Sequence, residues 1–278
     1  MNADTIGAGA VVAGAIDIGN TRIKILADNQ FFAAELSTNW QETMHKYLWN
    51  FSGKNVILGV SSVNPEAFAQ LETELKKRSN VRWKALQEIM LRQNIVDVAG
   101  IQGIGSDRVL SLIGGLQYAV EHFPAQVAPI LTIDCGTAVT LNALTTRRKC
   151  LGGAILPGVG TQLRALHHFT QQLPEVEVGF EDAASGTNTA QAMRIGVVRG
   201  IAGAIKEIAG QIVEQHFNHE MPIVLITGGD AGIVLKALET WFIQPHHAPH
   251  LVLHGASALM AHRMQESITS DGMLLLHD

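Results

Sequence analysis

Two Asp-x-Gly turns, each fed by an apolar strand, occupy corresponding places in the two halves of the chain. The first is Asp17-Ile18-Gly19-Asn20-Thr21 and the second is Asp134-Cys135-Gly136-Thr137-Ala138. After each, a β-like run resumes (residues 23–27 and 139–143), then comes a polar turn (28–30 and 145–149), and a further strand-like stretch begins. The two turns lie ~120 residues apart, about the length of one small domain. The pattern reads as a duplicated hairpin that grips a polyphosphate from two sides.

The chain has 278 residues, which suits two modest domains or one large one. Its 47% hydrophobic content is enough for sizeable packed cores. A formal charge of −5 argues against a nucleic-acid binder held by phosphate contacts. It leaves room for an anionic ligand, because backbone N–H groups neutralise phosphate locally. Cys135 and Cys150 are the only cysteines, and the composition points to a reducing cytoplasm rather than a disulfide framework. Residues 7–15 are small and apolar but lack a basic segment before them and are too few to span a bilayer, so no membrane association is expected. Residues 1–13 read as a flexible N-terminal extension.

Strands are expected at 15–17, 22–26 and 31–34, at 56–60 and at 81–85. Trp40, Met44, Tyr47, Leu48 and Phe51 recur at helical spacing, and Pro65 opens a second helix with Phe68, Leu71 and Leu75 on its buried face. A helix is expected from Asp107 to about His122. The second half repeats the order: strands at 129–133, 139–143 and 152–156, then helices over 159–169 and 189–217. A strand at 223–226, a helix, a weaker strand at 251–253 and a last helix over 255–263 complete it. This is an α/β duplication, with a domain at 14–125, another at 126–278 and a cleft between them. The helix beginning near Thr189 exceeds what one core needs, so part of its face is a candidate interface with a second subunit.

In Asp17-Ile18-Gly19-Asn20-Thr21-Arg22-Ile23-Lys24, the glycine lets backbone amides approach a phosphate closely. Asn20 and Thr21 are donors to phosphate oxygens, Lys24 adds charge, and Asp17 at a strand end suits a hydrated Mg²⁺. An ordinary β-turn is the competing reading. In the second copy, Thr137 and Thr140 offer hydroxyls and Asp134 offers a cation ligand, while Cys135 is expected to be buried and inert. Thr227-Gly228-Gly229-Asp230 is either a nucleoside edge or a helix start capped by Asp230. Gly105-Ser106-Asp107-Arg108 is the best candidate for chemistry on an acceptor. There Asp107 takes a hydroxyl proton and Arg108 offers a fork for a carboxylate or phosphate. The alternative is an N-cap Asp with a solvated Arg after it. There is no P-loop and no complete Rossmann glycine set. His246, His247, His250 and His254 fit no zinc spacing and read as a surface loop.

Taken together and in order, these segments resemble the type III pantothenate kinases of the acetate and sugar kinase, Hsp70 and actin superfamily. The likeness rests on residues 17–24, Val60-Ser61-Ser62-Val63-Asn64-Pro65, 105–108, 134–140, 152–158, Leu173-Pro174, Gly186-Thr187-Asn188-Thr189 with Gly196, and 227–230. The resemblance implies duplicated ribonuclease H-like domains of the actin and hexokinase type. It implies transfer of the ATP γ-phosphoryl group to pantothenate, giving 4'-phosphopantothenate, the first step towards coenzyme A. Asp17, Ile18, Gly19, Asn20, Thr21, Arg22, Ile23, Lys24 and Thr137 would then bind ATP. Asp107 would be the base. Gly105, Ser106, Asp107, Arg108 and Thr189 would hold pantothenate, Thr189 across a homodimer interface. Asp134 would bind a monovalent cation, K⁺ or NH₄⁺, and Mg²⁺ would accompany ATP.

One departure stands out. The family pattern Y-x-x-P-x-x-L-G-x-D-R meets Val98, Ile101 and Ile104 here in place of Tyr, Pro and Leu. An aromatic contact to pantothenate is therefore lost or replaced. That favours the competing expectation, a non-catalytic nucleotide-binding accessory or regulatory protein of the same fold.

Overall fold

The computed structural model describes residues 11–28, 30–90 and 93–271. Residues 1–10 of the expected extension, and Asn29 in the first polar turn, lie outside the described residues. The elements run β1 (Val11–Ile18), β2 (Arg22–Ala27), β3 (Gln30–Glu35), α1 (Trp40–Trp49), β4 (Asn55–Ser62), α2 (Pro65–Lys76), β5 (Val81–Ala85), α3 (Leu86–Met90) and α4 (Ser106–His122). They continue as β6 (Ile130–Cys135), β7 (Ala138–Leu144), β8 (Cys150–Pro157), α5 (Val159–Phe169), α6 (Thr189–His216), β9 (Ile223–Thr227), α7 (Ala231–Leu238), β10 (His246–His247) and α8 (Leu251–Asp271).

Two five-stranded sheets result, ordered β3-β2-β1-β4-β5 and β10-β9-β6-β7-β8. Each has an antiparallel three-strand meander extended by two parallel strands. The same order and the same directions in both sheets make the duplication explicit.

The chain divides into two compact units. One holds the described residues of Met1–Ile95, Gly105–Gln117 and Val252–Asp278; the other holds Val96–Ile104 and Tyr118–Leu251. The units are therefore not the contiguous halves expected at 14–125 and 126–278: the last helix belongs mainly to the first unit, and the short segment before α4 to the second.

Strand alternation sorts the faces of each sheet. In the first unit Ile16, Ile18, Ile23, Ile25, Leu58 and Val60 pack with Trp40, Met44 and Leu48 of α1 and Leu71 and Leu75 of α2. Asn64 fixes the start of α2: its side chain accepts the Ala67 N–H at 3.1 Å, with Pro65 as the first helical residue. The other face is met by α3 and α8, since a Cβ at Gly59 would come within 2.7 Å of Met260 and 2.9 Å of Leu86. In the second unit Ile133, Cys135, Val139, Leu141, Val224 and Ile226 pack with α5, α6 and α7 through Leu163, Ile201, Ile205 and Val234.

Three expectations are corrected. Val11–Ala13, expected in the extension, form the start of β1 and pair with Asn55–Ile57 of β4. Residues 251–253, expected as a strand, open α8. The fifth strand is instead His246–His247, paired with Leu225 and Ile226, so these histidines do not sit in a free surface loop. Among the described residues no group of three His, Cys, Asp or Glu side chains is placed to hold a metal ion. No described helix is long and apolar enough to cross a membrane.

Candidate active site

In the first unit the β1–β2 register sets Asp17 opposite Lys24 and Ile18 opposite Ile23. The two isoleucines are fully buried and root the hairpin in the core. Of this pair only the backbone is left to meet a ligand. Asn20, Thr21 and Arg22 are exposed, and Arg22 pairs with Glu35 at 3.4 Å. The hairpin closes through Gly19 N–H to the Arg22 carbonyl at 2.9 Å.

Gly19 and Gly136 share an instructive property. Neither adopts a positive φ, and a Cβ would meet nothing closer than 3.5 Å at Gly19 and 3.7 Å at Gly136. The protein's own packing and backbone conformation do not require glycine at either turn.

Asp17 and Lys24 point to the face away from α1 and α2, as does Ser61, the β4 partner of Asp17. Ser61 is 1% exposed, and its Oγ lies 3.3 Å from the Oγ of Ser106, the first residue of α4. Asp107 comes next in the first turn of that helix, half-buried. Gly105, not Asp107, stands at the capping position: its carbonyl accepts the Val109 N–H at 3.3 Å. This removes the reading of Asp107 as an N-cap. Among the described residues Asp107 has no hydrogen-bonded or ion-paired side-chain partner. Its Oδ1 folds back over Gly105, where an added Cβ would stand 2.5 Å away.

In the second unit Asp134 sits opposite Thr140 on β7 and Thr227 on β9. These three share the face away from α5 and α6 with the buried pair Thr132 and Asn142. Gly228 has φ +98, and a Cβ there would stand 2.5 Å from Asp134 Oδ1. The Asp230 N–H donates to the Cys135 carbonyl at 2.9 Å, drawing 227–230 onto the second hairpin. Asp230 stands before α7 but makes no side-chain capping hydrogen bond. Cys135 is buried as expected, and burial, then Asp134 and Asp230, push its thiol well above the usual range. Thr137 is exposed, and its carbonyl accepts from Gly158 N–H at 2.9 Å and Thr161 Oγ1 at 2.7 Å.

Thr189 begins α6, capped by Asn188, whose side chain accepts the Gln191 N–H at 3.0 Å. Val98 and Ile101 are half-buried in the second unit. Their segment is pinned by Asp97 N–H to the Arg148 carbonyl and by Cys150 N–H to the Asp97 carbonyl, each at 2.8 Å.

The sequence assigns no role to Ser61. That serine lies in the segment 60–65 on which the family likeness rests, but the segment by itself points to no function for the hydroxyl.

A sequence model of the type III pantothenate kinase family matches residues 15–211, most of the chain. The chain belongs to that family. A type III pantothenate kinase from Synechococcus elongatus is 41% identical over 148 residues, 52% of this chain and 58% of the relative. The alignment thus spans little more than half that relative's length. The type III pantothenate kinase of Flavobacterium johnsoniae is 31% identical over 231 residues, 81% of this chain and 88% of its own. The crystal structure of a Campylobacter jejuni protein of the Baf family is 22% identical, covers 90% of this chain and 98% of its own, and gives a TM-score of 0.56. That likeness concerns the fold alone. It agrees with the duplicated α/β arrangement of the two five-stranded sheets.

Proposed function

We propose that this chain, as a type III pantothenate kinase, transfers the γ-phosphoryl group of ATP to the pantoate-end hydroxyl of pantothenate. The product is 4'-phosphopantothenate, the first intermediate on the way to coenzyme A. One observation carries the reading: Asp107 stands in the first turn of a helix that starts beside Ser61, the strand partner of Asp17.

Gly19, Asn20, Thr21, Arg22 and Lys24, with the backbone of Ile18 and Ile23, bind the ATP phosphates, and Asp17 would hold the hydrated Mg²⁺ that ATP brings. Thr137 contacts ATP. Gly105, Ser106, Arg108 and Thr189 hold pantothenate, the Arg108 fork suiting its carboxylate. Asp107 accepts the hydroxyl proton as the new O–P bond forms and the bond to the β–γ bridging oxygen breaks, releasing ADP. Because phosphoryl transfer is loose, the carboxylate mainly aligns the nucleophile.

Asp134 with Thr140 and Thr227 would hold the monovalent cation, K⁺ or NH₄⁺. The donors are all oxygen, which suits a hard cation and not zinc. That cation supplies fixed positive charge.

A homodimer joined through α6 is part of this reading. At 3.6 residues per turn Thr189, Gly196, Gly200, Gly203 and Gly210 fall on one stripe, and nothing lies within 4 Å of where a Cβ would stand at the four glycines. Each glycine costs a helix about 1 kcal/mol against alanine, and close approach of a second helix would offset that. A sedimentation mass of one chain would remove the dimer from the proposal. The cytoplasm, with its ATP and reduced thiols, is the compartment this reading assigns.

The test is a coupled ADP assay with pantothenate, run in Na⁺ and then in K⁺. ADP release is expected only with pantothenate, ATP, Mg²⁺ and K⁺ or NH₄⁺ together. Asp107→Asn is expected to lower turnover about a thousandfold without unfolding the chain. ATP binding with no pantothenate-dependent ADP would select the non-catalytic reading that Val98 and Ile101 favour.

A further inference from the structure

We infer that Ser61 is a positioning residue for Asp107, a buried hydroxyl that latches the first turn of α4 to the end of the central sheet. The inference rests on the role given to Asp107 above. Ser61 is 1% exposed, so its hydroxyl is cut off from bulk water and needs a protein partner. That partner is Ser106 Oγ at 3.3 Å. Ser61 is also fixed laterally on its β1 side, where it lies directly across from Asp17. The residue that locates the start of α4 is thus the strand neighbour of the carboxylate at the root of the first hairpin.

The second unit supplies an independent instance. Thr227 occupies on β9 the place that Ser61 occupies on β4: it is the parallel-strand partner of Asp134, as Ser61 is of Asp17. Thr227 is 2% exposed, and its Oγ1 accepts the N–H of Leu251, the first residue of α8, at 3.4 Å. In both units a buried hydroxyl at the end of the fourth strand of the sheet reaches the first residue of a helix that begins after the fifth. Only in the first does an aspartate come next. At the matching place after Leu251 stands Val252, 8% exposed.

The test uses the full chain with Ser61→Ala, Ser61→Thr, Ser106→Ala and the double alanine variant. Ser61→Ala is expected to lower kcat about tenfold, the scale of one hydrogen bond, with KM for ATP within about threefold. Ser61→Thr is expected to keep kcat within about twofold, because the matching position already holds threonine. In amide exchange without substrate, Ser106→Ala added to Ser61→Ala is expected to loosen α4 no further, as for two halves of one contact, whereas its turnover also carries the loss of the Ser106 contact to pantothenate. Amide exchange at Val109 and Leu110 should quicken about tenfold in Ser61→Ala while the melting temperature moves by less than about 3 °C. An unchanged kcat with unchanged exchange overturns the latch. So do exchange accelerations that multiply in the double variant, or a threonine variant as slow as the alanine one. A wild-type chain that turns over no pantothenate would defeat the proposed function instead, and the exchange measurement would still decide whether the latch exists.

Discussion

At the end of β1 the chain takes three residues to turn, Gly19, Asn20 and Thr21; at the end of β6 it takes two, Gly136 and Thr137. The carboxylate at the root of each hairpin keeps its place, yet its neighbours differ in charge. Asp17 faces Lys24 and Ser61, whereas Asp134 faces Thr140 and Thr227. A cationic neighbour suits an anionic phosphate, and a ring of neutral oxygens beside a carboxylate suits a cation. On the proposed reading, one duplicated scaffold would reach two ion preferences by changing the residue opposite the aspartate, with no change of topology.

The widest separation between the two hairpins is expected from removing each carboxylate's charge. Asp17→Asn should lower turnover about a hundredfold in every salt, since it weakens the handling of the transferring phosphate. Asp134→Asn should bring turnover in K⁺ down, by about tenfold or more, to the level seen in Na⁺. Coupled ADP assays in both salts check this, and an Asp17→Asn variant that no longer prefers K⁺ to Na⁺, beside an Asp134→Asn variant that still does, would break the proposed division of labour.

Glycines give the next contrast. Gly228 combines φ +98 with a place where a Cβ would strike the Cys135 carbonyl, so Gly228→Ala should cost about 3 kcal/mol or more in denaturant unfolding. Gly19→Ala and Gly136→Ala should cost less than about 1 kcal/mol in the same experiment. Each should nonetheless weaken ATP binding in a nucleotide titration. A large loss of stability at Gly19 would mean that the fold itself, not a ligand, demands the glycine.

The smallest effect concerns how each meander is braced. In the first unit the Tyr47 hydroxyl donates to the Gln30 carbonyl at 2.7 Å and accepts the Ala27 N–H at 3.1 Å. In the second unit Thr145 Oγ1 only accepts the Lys149 N–H at 3.1 Å. Burial pushes the Tyr47 phenol up to about 12. The neutral form is favoured in the fold, so its contribution is complete below pH about 10, the ordinary phenol value, and drains away as pH rises towards 12. Tyr47→Phe should cost about 1 kcal/mol at neutral pH and flatten that alkaline loss. Unfolding curves between neutrality and pH 11 measure it.

Much of this plan was legible in the residues. Apolar alternation marked both meanders, and Pro65 and Thr189 marked two helix starts because proline and capping chemistry act within one turn. The strand His246–His247 was not legible: two polar residues carry no periodicity, and only pairing with Leu225 and Ile226 makes them a strand. Leu251 to Leu253 resemble a strand because three apolar residues fit either period, and only their continuity with the rest of α8 makes them helical. Ser61 was invisible for another reason: a hydroxyl in a buried strand acquires meaning only from the partner that the fold brings to it. The interleaved units have the same origin, since which sheet a final helix covers depends on contacts such as Met260 against Gly59 that no local pattern encodes.

That last contact bears on how the chain is made. Synthesis runs from β1 onward, yet the sheet that emerges first waits for α8 to shield its second face, and Gly255 must seat against the Leu110 carbonyl of α4 before that layer closes. The later sheet has all its strands before α8 is translated. The order of completion is thus the reverse of the order of birth, and the earliest-made surface is the one left longest in need of protection from aggregation.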